Sequence, residues 1–114
     1  MAVYSSNLVI KTGTTFTQVF TLEDGVSNSP VNLTGFDVSA QMRKHRGATT
    51  GITTFTTSLY DASGGKIQIG LSTTQTAALK PGRHVYDVIT TNTTGVMECV
   101  VEGMVLVSQA VTRT

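Results

Sequence analysis

Long apolar runs are missing from this sequence. No stretch approaches the roughly 18 apolar residues of a membrane-spanning helix, so no membrane partner is expected. Charge is scarce as well. Lys, Arg, Asp and Glu make up 13% of the 114 residues, about half the usual share, and the net charge is +1. A nucleic-acid binder carries a basic stripe and a pI above roughly 9. Here the pI is about 7.9, and no nucleic-acid partner is expected. Tryptophan is absent and the few aromatics are spread along the chain, which leaves no base-stacking platform. Cys99 is the lone cysteine, so no intrachain disulfide can form. Met1 to Ile10 lacks the basic start and long apolar run of a signal peptide. Synthesis and folding in a cytoplasm are the expectation from that segment.

What is present is threonine, at 21 residues, beside a hydrophobic share of 39%. Threonine is β-branched: it favours strands, resists helices and coats a surface with neutral polar groups. The length suits one domain, and residues 1–114 are read as one, with a core spanning about 13–107 and a polar tail over 108–114.

Period-two alternation recurs every 10 to 18 residues. A short first strand covers Ser6 to Ile10. In Thr15 to Leu22, Phe16, Gln18, Phe20 and Leu22 share one face. A turn follows over Glu23-Asp24-Gly25, and the loop continues through Asn28-Ser29-Pro30. Phe36, Val38, Ala40 and Met42 point one way in the next strand, which ends at Arg43. Ile52 to Leu59 is read as one strand. Ile67, Ile69 and Leu71 point inward after the Asp61 to Gly65 turn. Ser72 to Leu79 is the one helical turn, capped by Ser72 or Thr73 and stopped by Pro81-Gly82. His84, Tyr86 and Val88 share a face of the Arg83 to Thr91 strand. Asn92 to Gly95 is a hairpin turn into the long Val96 to Val107 strand, in which Gly103 is expected to be a bulge. About seven short strands and one helical turn near 72–79 make an all-β, immunoglobulin-like antiparallel β-sandwich.

Each chemistry-bearing constellation has a plainer reading. His45 and His84 have no partner at ligand spacing, so no metal or other cofactor is expected. There is no GxSxG motif, and Cys99 is read as a buried structural thiol rather than a nucleophile. Glu98 and Glu102 lie four apart, about 13 Å along one side of a regular strand, too far for a shared acid–base role. With Arg83 and Asp87 they are read as an exposed cross-strand ladder. Gly64-Gly65-Lys66 is a turn, lacking the spacing of a phosphate loop. Asn32-Leu33-Thr34 and Asn92-Thr93-Thr94 match glycosylation acceptors by chance in a threonine-rich chain. Arg43, Lys44, His45 and Arg46 form the sole charge run, read most simply as a solvated loop and more sharply as a candidate protein-contact loop for an acidic partner.

Several segments in order resemble a known family. They are Gly13-Thr14-Thr15-Phe16 through Phe20 and Leu22, then Val31-Asn32-Leu33-Thr34-Gly35-Phe36, then Gln41-Met42-Arg43-Lys44. Asp61 to Leu71, Thr76 to Val88 and Val100 to Val107 follow. Together they resemble the immunoglobulin-like N-terminal domain of baseplate upper proteins of tailed phages, over roughly Gly13 to Val107. The Leu79-Lys80-Pro81-Gly82 corner before Tyr86 resembles the immunoglobulin corner at which a tyrosine hydroxyl ties the chain back. The resemblance implies a non-enzymatic virion structural protein of the tail or baseplate, assembled in the host cytoplasm. Its expected partners are other virion proteins and further copies of itself, a trimer among the possibilities. In that family a longer fibre-like or receptor-binding part follows the domain, whereas here the sequence stops at Thr114. That form also fits a capsid decoration protein. A carbohydrate-binding module is the remote alternative, since such modules present rows of exposed Trp or Tyr, and this chain has no Trp and three scattered Tyr.

Overall fold

The alternating segments become strands because one face of each is apolar and must be buried against another layer. A computed structural model describes residues 4–23, 31–47, 49 and 53–111. The turns expected over residues 24–30 and the last residues of the tail, 112–114, lie outside them. Nine strands and one helix follow in order: β1 (Tyr4–Ser5), β2 (Leu8–Lys11), β3 (Phe16–Thr21), β4 (Asp37–Arg43), β5 (Thr53–Thr54), β6 (Thr56–Asp61), β7 (Lys66–Leu71), α1 (Thr73–Ala77), β8 (Gly82–Thr91) and β9 (Met97–Ser108). They form an immunoglobulin-like β-sandwich. The larger sheet runs β1-β9-β8-β4-β5, with β2 also on β9, and the smaller runs β3-β7-β6.

The inward faces are those that the alternation picks out. Phe20, Leu22, Ala40, Met42, Ile67, Ile69, Leu71, Tyr86 and Val88 are all buried. At about 1.5–3 kcal/mol for each large apolar side chain removed from water, this set is the main source of stability. The aromatics, far apart in sequence, meet in the core. Phe55 lies 6.1 Å from Phe16 and 6.2 Å from Tyr86, centroid to centroid, and Tyr86 stacks at 6.5 Å on Phe20. They join β3 of one sheet to β8 of the other.

Helix α1 begins with a complete capping box. Ser72 Oγ accepts from the Gln75 amide, and Gln75 Oε1 accepts from the Ser72 amide. Thr76 is fully buried, and its hydroxyl donates to the Thr14 carbonyl at 2.7 Å, which docks the helix on the β2–β3 turn.

Five details differ from the sequence expectations. First, the sandwich is not wholly antiparallel: β1 and β2 run parallel to β9. Ser6 and Asn7 of the expected first strand lie between β1, which precedes it, and β2, and Leu8 and Ile10 belong to the core, ahead of its expected start at residue 13. Second, the strand expected over 52–59 is two strands in different sheets. β5 pairs with β4 and β6 with β7, and the chain crosses the sandwich at the buried Phe55. Period two shows which residues share a face but says nothing about which sheet holds them. Third, the β8–β9 register shifts between Val88 and Ile89, so the unpaired extra residue is Val100, not Gly103. Gly103 stays in register opposite Tyr86, and it is a glycine because a Cβ there would collide with the Ser6 carbonyl, where β1 gives way to β2.

Fourth, the Tyr86 hydroxyl does tie the chain back, but to the Ser6 carbonyl at 2.6 Å, 80 residues away. The corner before β8 is held instead by His84, whose Nε2–H donates to the Lys80 carbonyl at 2.9 Å. Fifth, the tail expected from residue 108 starts later, since Ser108 still pairs with Lys11 in β9.

Candidate functional site: the outer face of the larger sheet

The two sheets turn different surfaces to solvent. On the smaller sheet the outward positions of β3 are Thr17, Val19 and Thr21, and those of β6 include Thr56 and Ser58. On the larger sheet they are Val9 on β2, Leu106, Met104 and Glu102 on β9, and Arg83, Val85, Asp87 and Ile89 on β8. Val9 pairs with Leu106, Leu106 with Arg83, Met104 with Val85, and Glu102 with Asp87. Val9 is 60% exposed, and Met104 and Leu106 are each 47% exposed. These three sit side by side, unlike the scattered exposed apolar residues that any surface carries.

Beside this apolar row lies a depression of about 380 Å³, lined by Gln41, Arg43, Arg46, Val85, Asp87 and Ile89 among others. The basic loop from Arg43 to Arg46 borders it. The four residues do not form one basic patch. Arg43 Nη2 donates to Gln41 Oε1 at 3.2 Å within β4. Lys44 leans over the start of β8, its Nζ 3.3 Å from where a Gly82 Cβ would stand. His45 is exposed. Arg46 reaches across to Glu102, Nη2 to Oε2 at 3.5 Å.

That last contact answers a local electrostatic problem. Asp87 and Glu102 face each other across the ladder, and directly opposed like charges destabilise a sheet. Arg46 offsets this, although both partners are well exposed and the pair is worth little on its own. The expected Arg83–Asp87–Glu98–Glu102 ladder does not form. Arg83 stands opposite Leu106, and the bulge at Val100 places Glu98 opposite Thr90, whose side chain is buried. Glu98 and Glu102 therefore do not share a face, as they would on a regular strand.

Cys99 is half-buried on this outer face, opposite Ile89, rather than in the core. Burial pushes its thiol above the ordinary value, and the Asp87 and Glu102 carboxylates push it further. Its Sγ lies 3.6 Å from the Val101 carbonyl. A thiol held protonated in this way is a poor nucleophile at neutral pH.

Elsewhere the polar groups serve the fold. Asn32 Oδ1 accepts from the Thr34 amide at 3.0 Å, and Asn92 Oδ1 from the amides of Thr94 and Val96 at 3.0 and 2.9 Å. Both glycosylation-like triplets are therefore side-chain-closed turns. In the Asp61 to Lys66 turn, Asp61 Oδ1 accepts from the Gly64 amide at 3.1 Å. Gly65 there has φ +72°, and a Cβ on it would lie 2.6 Å from the Leu22 carbonyl. Among the described residues no buried side-chain polar atom lacks a hydrogen bond, and no three His, Cys, Asp or Glu side chains gather to hold a metal ion.

No protein-family model matches this chain, and no curated protein matches it in sequence. A solved structure that it is similar to is AggA, the major subunit of aggregative adherence fimbriae type I from Escherichia coli. The two are 11% identical, with a TM-score of 0.33 over 87% of this chain and 97% of that one. Likeness at this level says nothing of function.

Proposed function

We propose that this chain is a non-enzymatic structural module that works by protein–protein contact within a tailed-phage particle, in its tail or baseplate. The observation that carries the contact role is the gathering of Val9, Met104 and Leu106 with paired charges on one outer sheet face. Ionisable and apolar groups are both concentrated there, on a rigid platform of hydrogen-bonded strands. Catalysis finds no support from the residues at hand. The depression beside the apolar row holds Asp87 and two arginines but no activated nucleophile, and Cys99 is held as a thiol. A sugar-binding role is equally unsupported, because Phe16, Phe20, Phe55 and Tyr86 are engaged with one another in the core. Tyr60 is the large exposed aromatic among the described residues.

The phage setting rests on the ordered segments from Gly13 to Val107 that resemble the baseplate domain. A particle presents many copies of each subunit, and multivalency turns weak single contacts into firm attachment. The test is to purify particles from cells that produce this protein and label them with an antibody raised against it. Label on the tail or its tip is the expected result. Label on the head would move the protein to capsid decoration. Unlabelled particles that also lack the protein by mass spectrometry would overturn the virion assignment.

A further inference from the structure

The apolar row on the larger sheet has a polarity along its strands. Lys11 lies at one end, with Ser108 as its ladder partner, and Arg83 stands one row in, in line with Leu106 and Val9. The next row holds Met104 and Val85, and the row after that the Glu102–Asp87 pair. Base, apolar centre and acid thus follow one another at a row spacing of about 7 Å, two residues of strand rise. Lys11 and Arg83 have no carboxylate opposite them in the ladder, while Asp87 and Glu102 have each other.

Such a surface is complementary to itself when one copy is turned over. We propose that the outer face of the larger sheet is the contact between two copies of this chain, packed face to face with their strands reversed. In that arrangement Leu106 of each copy meets Met104 of the other. Lys11 of each comes opposite the Glu102–Asp87 row of the other, and Arg83 stands one row, about 7 Å, from it. The residue pairs repeat across a two-fold axis, as an isologous interface requires. Arg46, 75% exposed on its side chain, is free to stay on Glu102 or swing aside. The four lanes of β1 with β2, β9, β8 and β4 at about 4.8 Å, and the ten residues of β8 at about 3.3 Å, give a face of roughly 19 by 33 Å at most. That approaches the ~800 Å² each partner contributes to an interface of standard size and suits a contact at the small end of the range. The other exposed apolar residues with a neighbour, Val96 and Met97 at the hairpin tip, lack this flanking by both signs of charge. The inference deepens the assembly reading above by naming a surface and a partner.

Sedimentation velocity of the full chain at rising concentration tests it. The wild type is expected to reach twice the mass of the 12.1 kDa chain. Leu106→Glu is expected to halve that mass and to keep a cooperative thermal unfolding transition that no longer depends on protein concentration. Two charge variants make the test independent of any single packing change. Lys11→Glu with Arg83→Glu makes both ends acidic, and Asp87→Lys with Glu102→Lys makes both basic. Each is expected to be monomeric alone and to form a dimer when the two are mixed in equal amounts. A wild type that stays at 12.1 kDa, or forms a trimer, would overturn the proposal, as would a dimer that survives Leu106→Glu. Charge variants that fail to recover on mixing would overturn it too. None of these outcomes would alter the particle labelling, which stands or falls separately.

Discussion

The two sheets share one core and differ on their outer sides. Facing inward, Ile67, Ile69 and Leu71 of the smaller sheet do the same work as Met42, Val88 and Val101 of the larger. Facing outward, β3 and β6 of the smaller sheet offer mainly threonine and serine with Val19 and Tyr60 set apart among them, while the larger gathers Val9, Met104, Leu106 and four charged side chains around them. The contrast separates two demands on one fold. Burial asks only for apolar bulk of the right volume, so both sheets meet it alike. The proposed contact asks for particular groups in particular rows, and the larger sheet carries them.

The equivalence of the inner faces can be broken first, and with the largest effect. Ile69→Ala on β7 and Met42→Ala on β4 each remove a fully buried side chain. Each should cost about 2–5 kcal/mol in denaturant unfolding. If one sheet were merely draped on the other, its variant would cost far less.

The close backbone approaches of the two sheets come next. Gly103 on the larger sheet faces the Ser6 carbonyl so closely that an added Cβ has no room, whereas at Gly70 on the smaller sheet a Cβ would sit 2.9 Å from the Phe16 carbonyl. Gly103→Ala is expected to destabilise by about 3 kcal/mol and Gly70→Ala by about 1 kcal/mol, since overpacking scales with how far backbone must move. Equal losses would mean that β1 and β2 are not anchored as described.

Tyr86 sharpens the comparison through pH. Its hydroxyl ties β8 to Ser6, and Tyr86→Phe leaves that carbonyl without its partner, at about 1–2 kcal/mol. Burial raises the phenol above its ordinary 10.0, and the hydrogen bond to Ser6 only partly opposes the rise. The folded state then holds the proton more tightly than the unfolded one. The stabilisation is complete below pH 10.0 and declines as pH rises through the higher folded value. Thermal melts between neutral and strongly alkaline pH should show a steeper alkaline decline for the wild type than for Tyr86→Phe.

The smallest effect belongs to the exposed bridge. Arg46→Ala should change stability by no more than about 0.5 kcal/mol, given the exposure of both partners. It should, however, remove the positive charge that opposes Asp87 and Glu102 at the Cys99 thiol. Alkylation of Cys99, whose thiol that pair helps to hold protonated, should then become slower than in the wild type.

Much of this architecture is legible in the residue order, and the reason is local. Alternation of size and polarity in Thr15 to Leu22, Phe36 to Arg43, Lys66 to Leu71 and Arg83 to Thr91 requires only neighbours two apart. The inward residues of those segments follow directly. Features that depend on a distant partner are not legible. Phe55 changes sheets because β4 and β7 lie on either side of it, and nothing within Ile52 to Leu59 marks the crossing. Gly103 looks like a bulge until Ser6 arrives against it, and the true bulge falls on Val100, one of two consecutive valines with no distinguishing chemistry. The tyrosine tie was visible as a motif, but its acceptor, at Ser6, was not. The basic loop was visible too. Arg46 nevertheless acts apart from its neighbours, because only the fold brings Glu102 within reach. The apolar row of Val9, Met104 and Leu106 is not legible because its members come from strands almost a hundred residues apart. Outward apolar positions on the first and last strands are the signal that marks it.

The contrast between the outer faces is tested most directly by placing the same charge on each in turn and measuring mass by sedimentation velocity. Leu106→Glu on the larger sheet should give a monomer, while Thr17→Glu on the smaller sheet should sediment as the wild-type dimer does. If both variants dissociate, or neither does, the working surface is not where the exposed apolar row places it.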